Sequence, residues 1–539
     1  MKKLQVWIPL LFALVMIVGM LIGYHLYENT HTNGFFKTRK IGRVQEVLDL
    51  VNMKYVDPVN PDSLSDQAIQ GILAHLDPHS YFIPAVDREE MNEDLQGNFE
   101  GIGVEFQIFN DTVNITYVLP NGPSDKAGLQ VGDKFIKVND SLVAGNGINS
   151  ERIKKLLRGP GASTVTIGLL REGRPVTSSI VRGMIPLPSL DAAYMLDKET
   201  GYIRINKFSR TTYGEVMEAL EKLQKQGFQK LVFDLRNNGG GIVDQAVDIA
   251  DEFLGDDKLI VYTEGRKSPR REYRAQKPGV FEKGKLILLV DEGTASASEI
   301  LAGALQDWDR ATIMGRRTFG KGLVQEPFQL SDGSELRLTV ARYYTPIGRS
   351  IQKPYNRGRD EYNDEVLERF HDGELIHGDT SSKHAGPVFH TKGGRVVYGG
   401  GGITPDVFVG LDTSRVSMTL TDLYKKGTLN NFVYTYYMAN ISKFRQFKDA
   451  DAFIAGFHDD DKIWNSLVEF AAKDSVNMSS ITPGDKSMLQ SRMKALLARL
   501  MWRTQGYFEV SNSSDPVVRK AMEEFSNKVA MPLKQAAKK

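Results

Sequence analysis

Cysteine is absent from the 539 residues of this sequence. Disulfide bonds, thiol nucleophiles and cysteine metal sites are therefore excluded. A metal site would have to use histidines and carboxylates, but the nine histidines include no HExxH-like arrangement. We therefore predict a protein without a bound metal.

An excess of charge of either sign is also missing. Lys and Arg total 68 and Asp and Glu total 67, so the net charge is only +1. No global field favours nucleic acid, and we predict no nucleic-acid partner. Hydrophobic residues at 41% and charged residues at 25% are ordinary values for a globular protein. At this length we expect roughly three or four domains.

Charged residues are missing from one stretch near the N-terminus. After Lys2 and Lys3, the apolar run from Val6 to Gly23 is long enough to cross a hydrocarbon core of about 30 Å as a helix. A cleaved signal peptide is the alternative, but no A-x-A-like cleavage site follows the run. We predict that residues 1–24 form a signal anchor in the cell membrane, with the rest of the chain exported to the periplasmic side.

The remaining sequence changes character in four steps. Amphipathic helices are predicted first, then short strands with glycine turns, then the strand and helix alternation of an α/β core, and finally more helices. A polar stretch without periodicity inside the α/β part indicates a surface insertion. The predicted segments are 40–95 (helical), 96–184 (β-rich), 185–410 (α/β core), 353–395 (insertion) and 411–539 (helical).

A serine-rich turn separates an apolar run from a helical pattern. The run Lys285–Val290 is followed by small residues that include Ser296. This order predicts a strand, a tight turn and a helix start, where free N–H groups and the helix dipole can stabilise an oxyanion. Ser296 is a candidate nucleophile there. Helix capping is the commoner role of a serine at such a position.

A serine nucleophile needs a base, and no histidine of the α/β part precedes His371. Lys321 lies between two glycines and among apolar residues. Burial disfavours the charged form of an amine, so a lysine in such a place can act as a base. The alternative is an ordinary surface lysine on a glycine-rich loop.

A third segment, Asp234–Gly241, reads DLRNNGGG and follows an apolar run. Its glycines can present backbone N–H groups to a negatively charged oxygen. In isolation, a run of three glycines indicates only a permissive turn.

Together the strings DLRNNGGG, GTASASE and TFGKGLVQ resemble the signature segments of the carboxyl-terminal processing peptidases, a serine peptidase family that includes tail-specific proteases. The resemblance implies a Ser–Lys dyad of Ser296 and Lys321, which lie 25 positions apart, with Gln325 supporting the lysine. It also implies an oxyanion hole made by the N–H of Ala297 and that of a glycine in the Gly239–Gly240 turn.

The resemblance extends from about residue 40 to residue 410, because further strings match the family at Asp77–Tyr81, Glu90–Gly103, Thr339–Pro346 and Gly401–Asp406. It implies a crotonase- or Clp-protease-like α/β core with an inserted PDZ domain. Segments 353–395 and 411–539 are less diagnostic, and their roles stay open.

The β-rich segment resembles a PDZ domain. Gly101, Ile102, Gly103 and Val104 stand where that fold keeps its carboxylate-binding loop. Such a loop can bind the terminal carboxylate of a polypeptide, which then adds to the sheet as an extra strand. A PDZ-like spacer that binds nothing is the alternative.

The predicted function is that of a serine endopeptidase that cleaves exported polypeptides near their C-termini, after the PDZ domain has bound the tail. No cofactor is needed for this chemistry. Two alternatives remain: a catalytically inert PDZ scaffold, and a crotonase-like acyl-transforming enzyme. The sequence leaves the oligomeric state open, and a homo-oligomer is one option.

Overall fold

The computed structural model describes residues 7–32, 42–255, 257–378, 386–411, 418–458 and 460–526. The chain divides into two compact units, Met1–His75 and Leu76–Lys539. The first unit contains the helices α1 (Ile8–Thr32), α2 (Arg43–Lys54) and α3 (Pro61–Ala74).

The predicted membrane anchor is not supported. Among the helices that the structure describes, none is both long enough and apolar enough to span a bilayer. Residues 1–6 of the predicted anchor lie outside the described part. Export of the catalytic part stays a prediction from sequence.

The second unit begins with a β-rich part. Its elements are β1 (Tyr81–Ile83), α4 (Arg88–Gln96), β2 (Asn98–Gly101), β3 (Val104–Phe109), β4 (Thr112–Val118), α5 (Pro123–Lys126), β5 (Lys134–Val138), β6 (Ser141–Leu142), α6 (Ser150–Leu157), β7 (Thr164–Arg171), β8 (Arg174–Val181) and β9 (Gly183–Pro186). Six of these strands form a sheet, in which five follow the order β3-β4-β5-β7-β8 and β6 pairs with β5. Alternate residues of β7 are buried, as expected for a sheet with one face on a core. Strand β3 ends this order and is therefore an edge strand.

The α/β part follows. Its elements are β10 (Leu190–Met195), β11 (Thr200–Ile205), α7 (Thr212–Lys225), β12 (Lys230–Asp234), α8 (Val243–Asp251), β13 (Leu259–Glu264), β14 (Arg271–Arg274), β15 (Lys285–Val290), α9 (Ala297–Asp307), β16 (Thr312–Gly315), β17 (Leu323–Gln329), β18 (Glu335–Tyr344), α10 (Arg359–His371), α11 (Glu374–His377), β19 (Val388–His390), β20 (Val396–Tyr398) and β21 (Val407–Phe408). The main sheet has the order β10-β11-β12-β15-β16-β21.

The main sheet is parallel from β11 to β21, and only β10 is antiparallel to its neighbour. In β12 and β15 nearly every residue is buried, as expected for parallel strands covered on both faces. The parallel strands β12, β15 and β16 are adjacent, so the loops that follow them meet at one edge of the sheet. These loops contain the three strings that carry the family resemblance.

Helices cover both faces of the main sheet. Helices α7, α8 and α9 pack on one face in a single apolar cluster. The other face is covered from the C-terminal region, whose elements are α12 (Met418–Lys425), α13 (Thr428–Ala439), α14 (Ile441–Phe444), α15 (Ala450–Gly456), α16 (Asp460–Lys473), α17 (Pro483–Asn512) and α18 (Pro516–Ser526). Val517, Ala521 and Phe525 of α18 pack there against Val232 and Ile287. The C-terminal region is thus mostly helical, as predicted, and it completes the core.

The prediction of a surface insertion over residues 353–395 is only partly right. Lys353, Tyr362 and Arg369 are at most 4% exposed. Charged and polar residues are buried here because each is paired or packed on a ring, and such pairing leaves no periodic pattern in the sequence. Residues 379–385 of the segment lie outside the described part.

A buried carboxylate holds the end of β12 in place. Asp234 is 0% exposed, and its Oδ2 accepts a hydrogen bond of 2.7 Å from Tyr202. The guanidinium groups of Arg236 and Arg204 lie 2.6 Å and 3.0 Å from the same carboxylate. Both arginines keep the pKa of Asp234 well below its ordinary value, against the effect of burial.

We expect Asp234→Ala to lower the free energy of unfolding by about 3–5 kcal/mol, because it removes the buried carboxylate that two arginines share and leaves them only Asp515 and Asp191 as partners. Chemical denaturation followed by circular dichroism measures the change. Asp140→Ala is the control, since the Asp140 side chain is fully exposed. An effect of Asp234→Ala no larger than that of the control would contradict this account.

Candidate active site

Ser296 lies at the turn between β15 and α9. Its backbone is left-handed, with φ 57° and ψ −117°, a conformation that costs about 1–3 kcal/mol for a residue other than glycine. It immediately precedes Ala297, the first residue of α9, and every residue of that helix is buried. The serine is 9% exposed. A sharp turn of this kind presents a serine hydroxyl at a helix N-terminus, where a nucleophile can be placed.

The carboxylate of Glu299 joins the serine turn to the lysine loop. Its Oε2 accepts hydrogen bonds from the backbone N–H of Ser296 at 2.9 Å and of Lys321 at 2.8 Å. Its Oε1 accepts from the N–H of Gly320 at 2.8 Å and from the Thr318 hydroxyl at 2.5 Å. The structure therefore brings the two predicted catalytic segments together through one side chain.

Glu299 is 0% exposed. Burial raises the pKa of its carboxyl group to about 7, although the four hydrogen bonds favour the ionised form and oppose the rise. Sequence reasoning missed this residue. Its position three residues after Ser296 is the spacing at which a Glu side chain reaches back to a helix N-cap, and that signal could have identified it.

Lys321 is partly buried in the loop between β16 and β17. Burial lowers the pKa of its amine, and the positive charge of Arg337 adds to the effect, whereas Glu299 and Asp77 oppose it. Within the described part of the chain, its amine makes no hydrogen bond or ion pair. The buried Tyr343 donates a hydrogen bond from its hydroxyl to the Lys321 carbonyl. The amine is thus free to contact a substrate or the serine.

One of the glycines after β12, Gly240, packs against the serine turn. A Cβ atom on Gly240 would lie 2.7 Å from the carbonyl oxygen of Ala295 and 2.8 Å from the nitrogen of Ala297. The N–H of Gly240 donates to Asn238 Oδ1 at 2.9 Å. Among the described residues, the N–H groups of Gly239 and Ala297 have no acceptor. Of the predicted oxyanion donors, Gly239 and Ala297 therefore have free N–H groups in the described part of the chain. Gly240 contributes through its close packing instead.

Gln325 lies on β17, which pairs with β18 in a second sheet. Its amide is 3.4 Å from the Thr339 hydroxyl, which donates to Asp77 Oδ1 at 3.0 Å. No hydrogen bond between Gln325 and Lys321 is found among the described residues. The predicted support of the lysine by Gln325 is thus not seen as a direct contact.

A histidine from outside the α/β part lies beside the site. Burial lowers the pKa of His79 to about 4, and the positive charge of Lys321 adds to the effect. His79 Nε2 lies 2.8 Å from the Tyr362 hydroxyl, and the Tyr362 ring packs on Phe319. No local pattern could reveal this contact, because His79 precedes Lys321 by more than 200 positions.

The predicted carboxylate-binding loop lines a groove in the β-rich part. The groove has a volume of 530 Å³ and lies between the edge strand β3 and helix α6. Gly103 has φ 75°, and the N–H groups of Ile102 and Gly103 have no acceptor among the described residues. Apolar side chains of Ile102, Leu119 and Leu157 contribute to the wall. The loop can therefore accept a carboxylate at one end of an apolar groove.

No group of His, Asp and Glu side chains in the described part of the chain could hold a metal ion. The arrangement that it does contain is a serine at a helix start, a lysine with a lowered pKa and two free N–H groups. Such a set can perform nucleophilic attack on a carbonyl carbon.

Comparison with protein families gives three matches. The model of peptidase family S41 matches residues 199–357, a PDZ domain model matches residues 115–171, and a family of unknown function matches residues 419–503. The first match contains Ser296, Lys321 and Gln325.

Curated relatives cover a larger part of the chain. A carboxy-terminal-processing protease of Bartonella bacilliformis is 35% identical over 321 residues, 58% of this chain and 73% of the relative. A probable CtpA-like serine protease of Staphylococcus aureus is 33% identical over 358 residues, 65% of this chain and 71% of the relative.

Two solved structures are also similar in sequence. The photosystem II D1 C-terminal processing protease is 32% identical, with 57% of this chain and 83% of that chain covered and a TM-score of 0.34. A peptide-bound PDZ domain of a carboxy-terminal protease from Vibrio cholerae is 30% identical, with 17% and 99% covered and a TM-score of 0.16.

The two neighbouring glycines offer a matched test of the site. We expect Gly240→Ala to reduce cleavage of an unfolded protein by about a hundredfold or more, the loss typical when an oxyanion donor is displaced. A Cβ there meets the serine turn and φ is 95°, whereas a Cβ on Gly239 meets nothing within 4 Å. Gly239→Ala should therefore keep most of the activity. Equal losses in the two variants would contradict the packing described here.

Proposed function

The chain belongs to the carboxy-terminal-processing serine proteases of peptidase family S41, and from this premise we propose that Ser296 is its nucleophile and Lys321 its general base. The observation that carries the proposal is the Glu299 carboxylate, which accepts hydrogen bonds from the backbone of both residues. A serine and a lysine held by one buried group keep a constant spacing, as general-base catalysis requires.

The reaction begins with a neutral Lys321. Its amine takes the proton of the Ser296 hydroxyl while the serine oxygen attacks the peptide carbonyl carbon. The N–H groups of Gly239 and Ala297 stabilise the oxyanion, with help from the positive end of α9. The lysine then gives its proton to the leaving amine, and water hydrolyses the acyl-enzyme by the same route.

Gln325 has a positioning role in this proposal. Its amide reaches Thr339, which donates to Asp77, and the negative charge of Asp77 acts on the Lys321 amine. Through this chain Gln325 restricts the lysine to one arrangement. Asp77 thereby becomes part of the support of the base.

Specificity for chain ends is assigned to the groove of the PDZ domain. The free N–H groups of Ile102 and Gly103 would bind the terminal carboxylate, and the tail would add to the exposed edge of β3. Once the tail is bound in the groove, the peptide bond that will be cleaved can be placed at Ser296. The inert scaffold is set aside because the family is one of serine peptidases, and the crotonase-like alternative because the relatives are proteases.

The dyad is tested with purified protein from about residue 35 onward and an unfolded protein substrate. We expect Ser296→Ala and Lys321→Ala each to lower cleavage by about 10⁴-fold or more, as for members of other catalytic sets. Ser179→Ala and Lys283→Ala are matched controls because both residues are exposed. Undiminished cleavage by either dyad variant would refute the assignment.

His79 is the rival base, and the same assay decides between the two. If His79 were the base, His79→Ala would abolish cleavage and Lys321→Ala would leave part of it. We expect the reverse order, because His79 Nε2 already lies within hydrogen-bonding distance of the Tyr362 hydroxyl.

The pH dependence of cleavage follows from the lowered pKa of Lys321. Only the neutral amine accepts a proton, so the rate should rise with pH and be lost as pH falls through the pKa of the folded enzyme. Burial places that pKa below the ordinary lysine value of 10.5. The pH profile of kcat/KM measures it. A midpoint at or above 10.5 would contradict a desolvated base.

A further inference from the structure

Two arginines of the C-terminal region lie in the wall of the PDZ groove. Arg499 and Arg503 of α17 line it together with residues of β3 and α6. We infer that these arginines form a subsite that selects tails with an acidic side chain shortly before the terminal residue. This inference rests on the proposed binding of tails in the groove.

The groove has more positive than negative charge in its wall. Its lining residues include four cations, and Glu105 is the acid among them. Three of the cations are already paired, Lys154 with Glu151 at 2.8 Å, Arg158 with Glu90 at 3.0 Å and Arg503 with Glu105 at 2.7 Å. The surplus charge is therefore provided by Arg499, and Arg503 adds a second guanidinium whose partner is the Glu105 of the groove.

Arg499 is exposed, and within the described part of the chain its guanidinium has no hydrogen bond or ion pair. A guanidinium binds a carboxylate through two parallel hydrogen bonds, and this geometry gives both affinity and selectivity. An unpaired arginine beside a peptide groove thus favours a ligand that brings its own carboxylate.

Arg503 is held in the groove by an unusual backbone. Its φ of 58° and ψ of −150° interrupt α17, a strained conformation for a residue other than glycine. Its guanidinium lies 2.7 Å from Glu105 and 4.2 Å from the centre of the Tyr117 ring. A Cβ on Gly506 would lie 2.7 Å from Trp502, so the break in the helix also requires glycine there. The strained backbone at Arg503 and the close packing at Gly506 thus direct the Arg503 side chain toward β3.

The position of the arginines limits which residues of the bound tail they can contact. The carboxylate loop precedes β3, so a tail pairing antiparallel with β3 runs from that loop past Glu105 and Phe106. The terminal side chain would enter the apolar end of the groove at Ile102 and Leu157. Residues one to three places upstream then face Arg499 and Arg503, because a strand advances by about 3.3 Å per residue.

Binding of labelled peptides to the full chain tests the inference. The protein carries Ser296→Ala so that the peptides are not cleaved, and fluorescence anisotropy measures Kd. The peptides end in the same apolar residue and differ only in Glu or Gln at the upstream positions. We expect the Glu peptide to bind about three to ten times more tightly, as for a partly exposed charge pair with an arginine.

Variants assign this preference to the two arginines. Arg499→Gln should reduce the preference and the double change with Arg503→Gln should abolish it, while the Gln peptide keeps its Kd. Arg519→Gln is the matched control, because this exposed arginine of α18 lines a different cavity. Glu105→Gln should strengthen binding of the Glu peptide, since it releases Arg503 from its ion pair.

The outcomes separate this inference from the proposed function. Equal Kd values for the two peptides, or a preference that survives the double change, would overturn the subsite while tail binding stands. If neither peptide binds, both the subsite and the proposed role of the PDZ groove fail. Loss of cleavage in Ser296→Ala and Lys321→Ala would still support the dyad in that case.

Discussion

The buried carboxylate of Glu299 is the constraint on which the candidate active site depends. It is the acceptor for four hydrogen bonds from two separate loops, and two of these come from the backbone of Ser296 and Lys321. A charged group is costly to bury unless its lone pairs are satisfied, so the loops must keep this arrangement for the site to be stable. The geometry of the proposed dyad is therefore coupled to the stability of the core.

The same constraint explains why strained and crowded backbone persists around it. Ser296 keeps a left-handed conformation because the adjoining helix α9 is entirely buried and Gly240 packs closely against the serine turn. Neighbouring parallel strands bring these loops to one edge of the sheet. Strain at a site of this kind is stable only when the surrounding packing overdetermines the conformation.

The C-terminal helices contribute to more than one part of the molecule. Helix α18 covers one face of the catalytic sheet, and α17 reaches the PDZ groove through Arg499 and Arg503. The buried end of β12 is linked to the same region, since Arg236 pairs with Asp515 at 2.9 Å. A region that the family resemblance leaves unassigned is thus part of both the core and the predicted specificity site.

The sequence by itself determined the local features of this protein. The β-rich part, the α/β core, the helical C-terminal region and the turn at Ser296 follow from periodicity and small-residue patterns, which reflect short-range geometry. Tertiary structure alone decided which distant groups meet. His79 and Asp77 lie beside Lys321, Lys353 is buried among aromatic rings, and arginines near residue 500 enter a groove near residue 105. Such contacts depend on how separate elements pack, and packing between residues hundreds of positions apart leaves no periodic signal in one sequence.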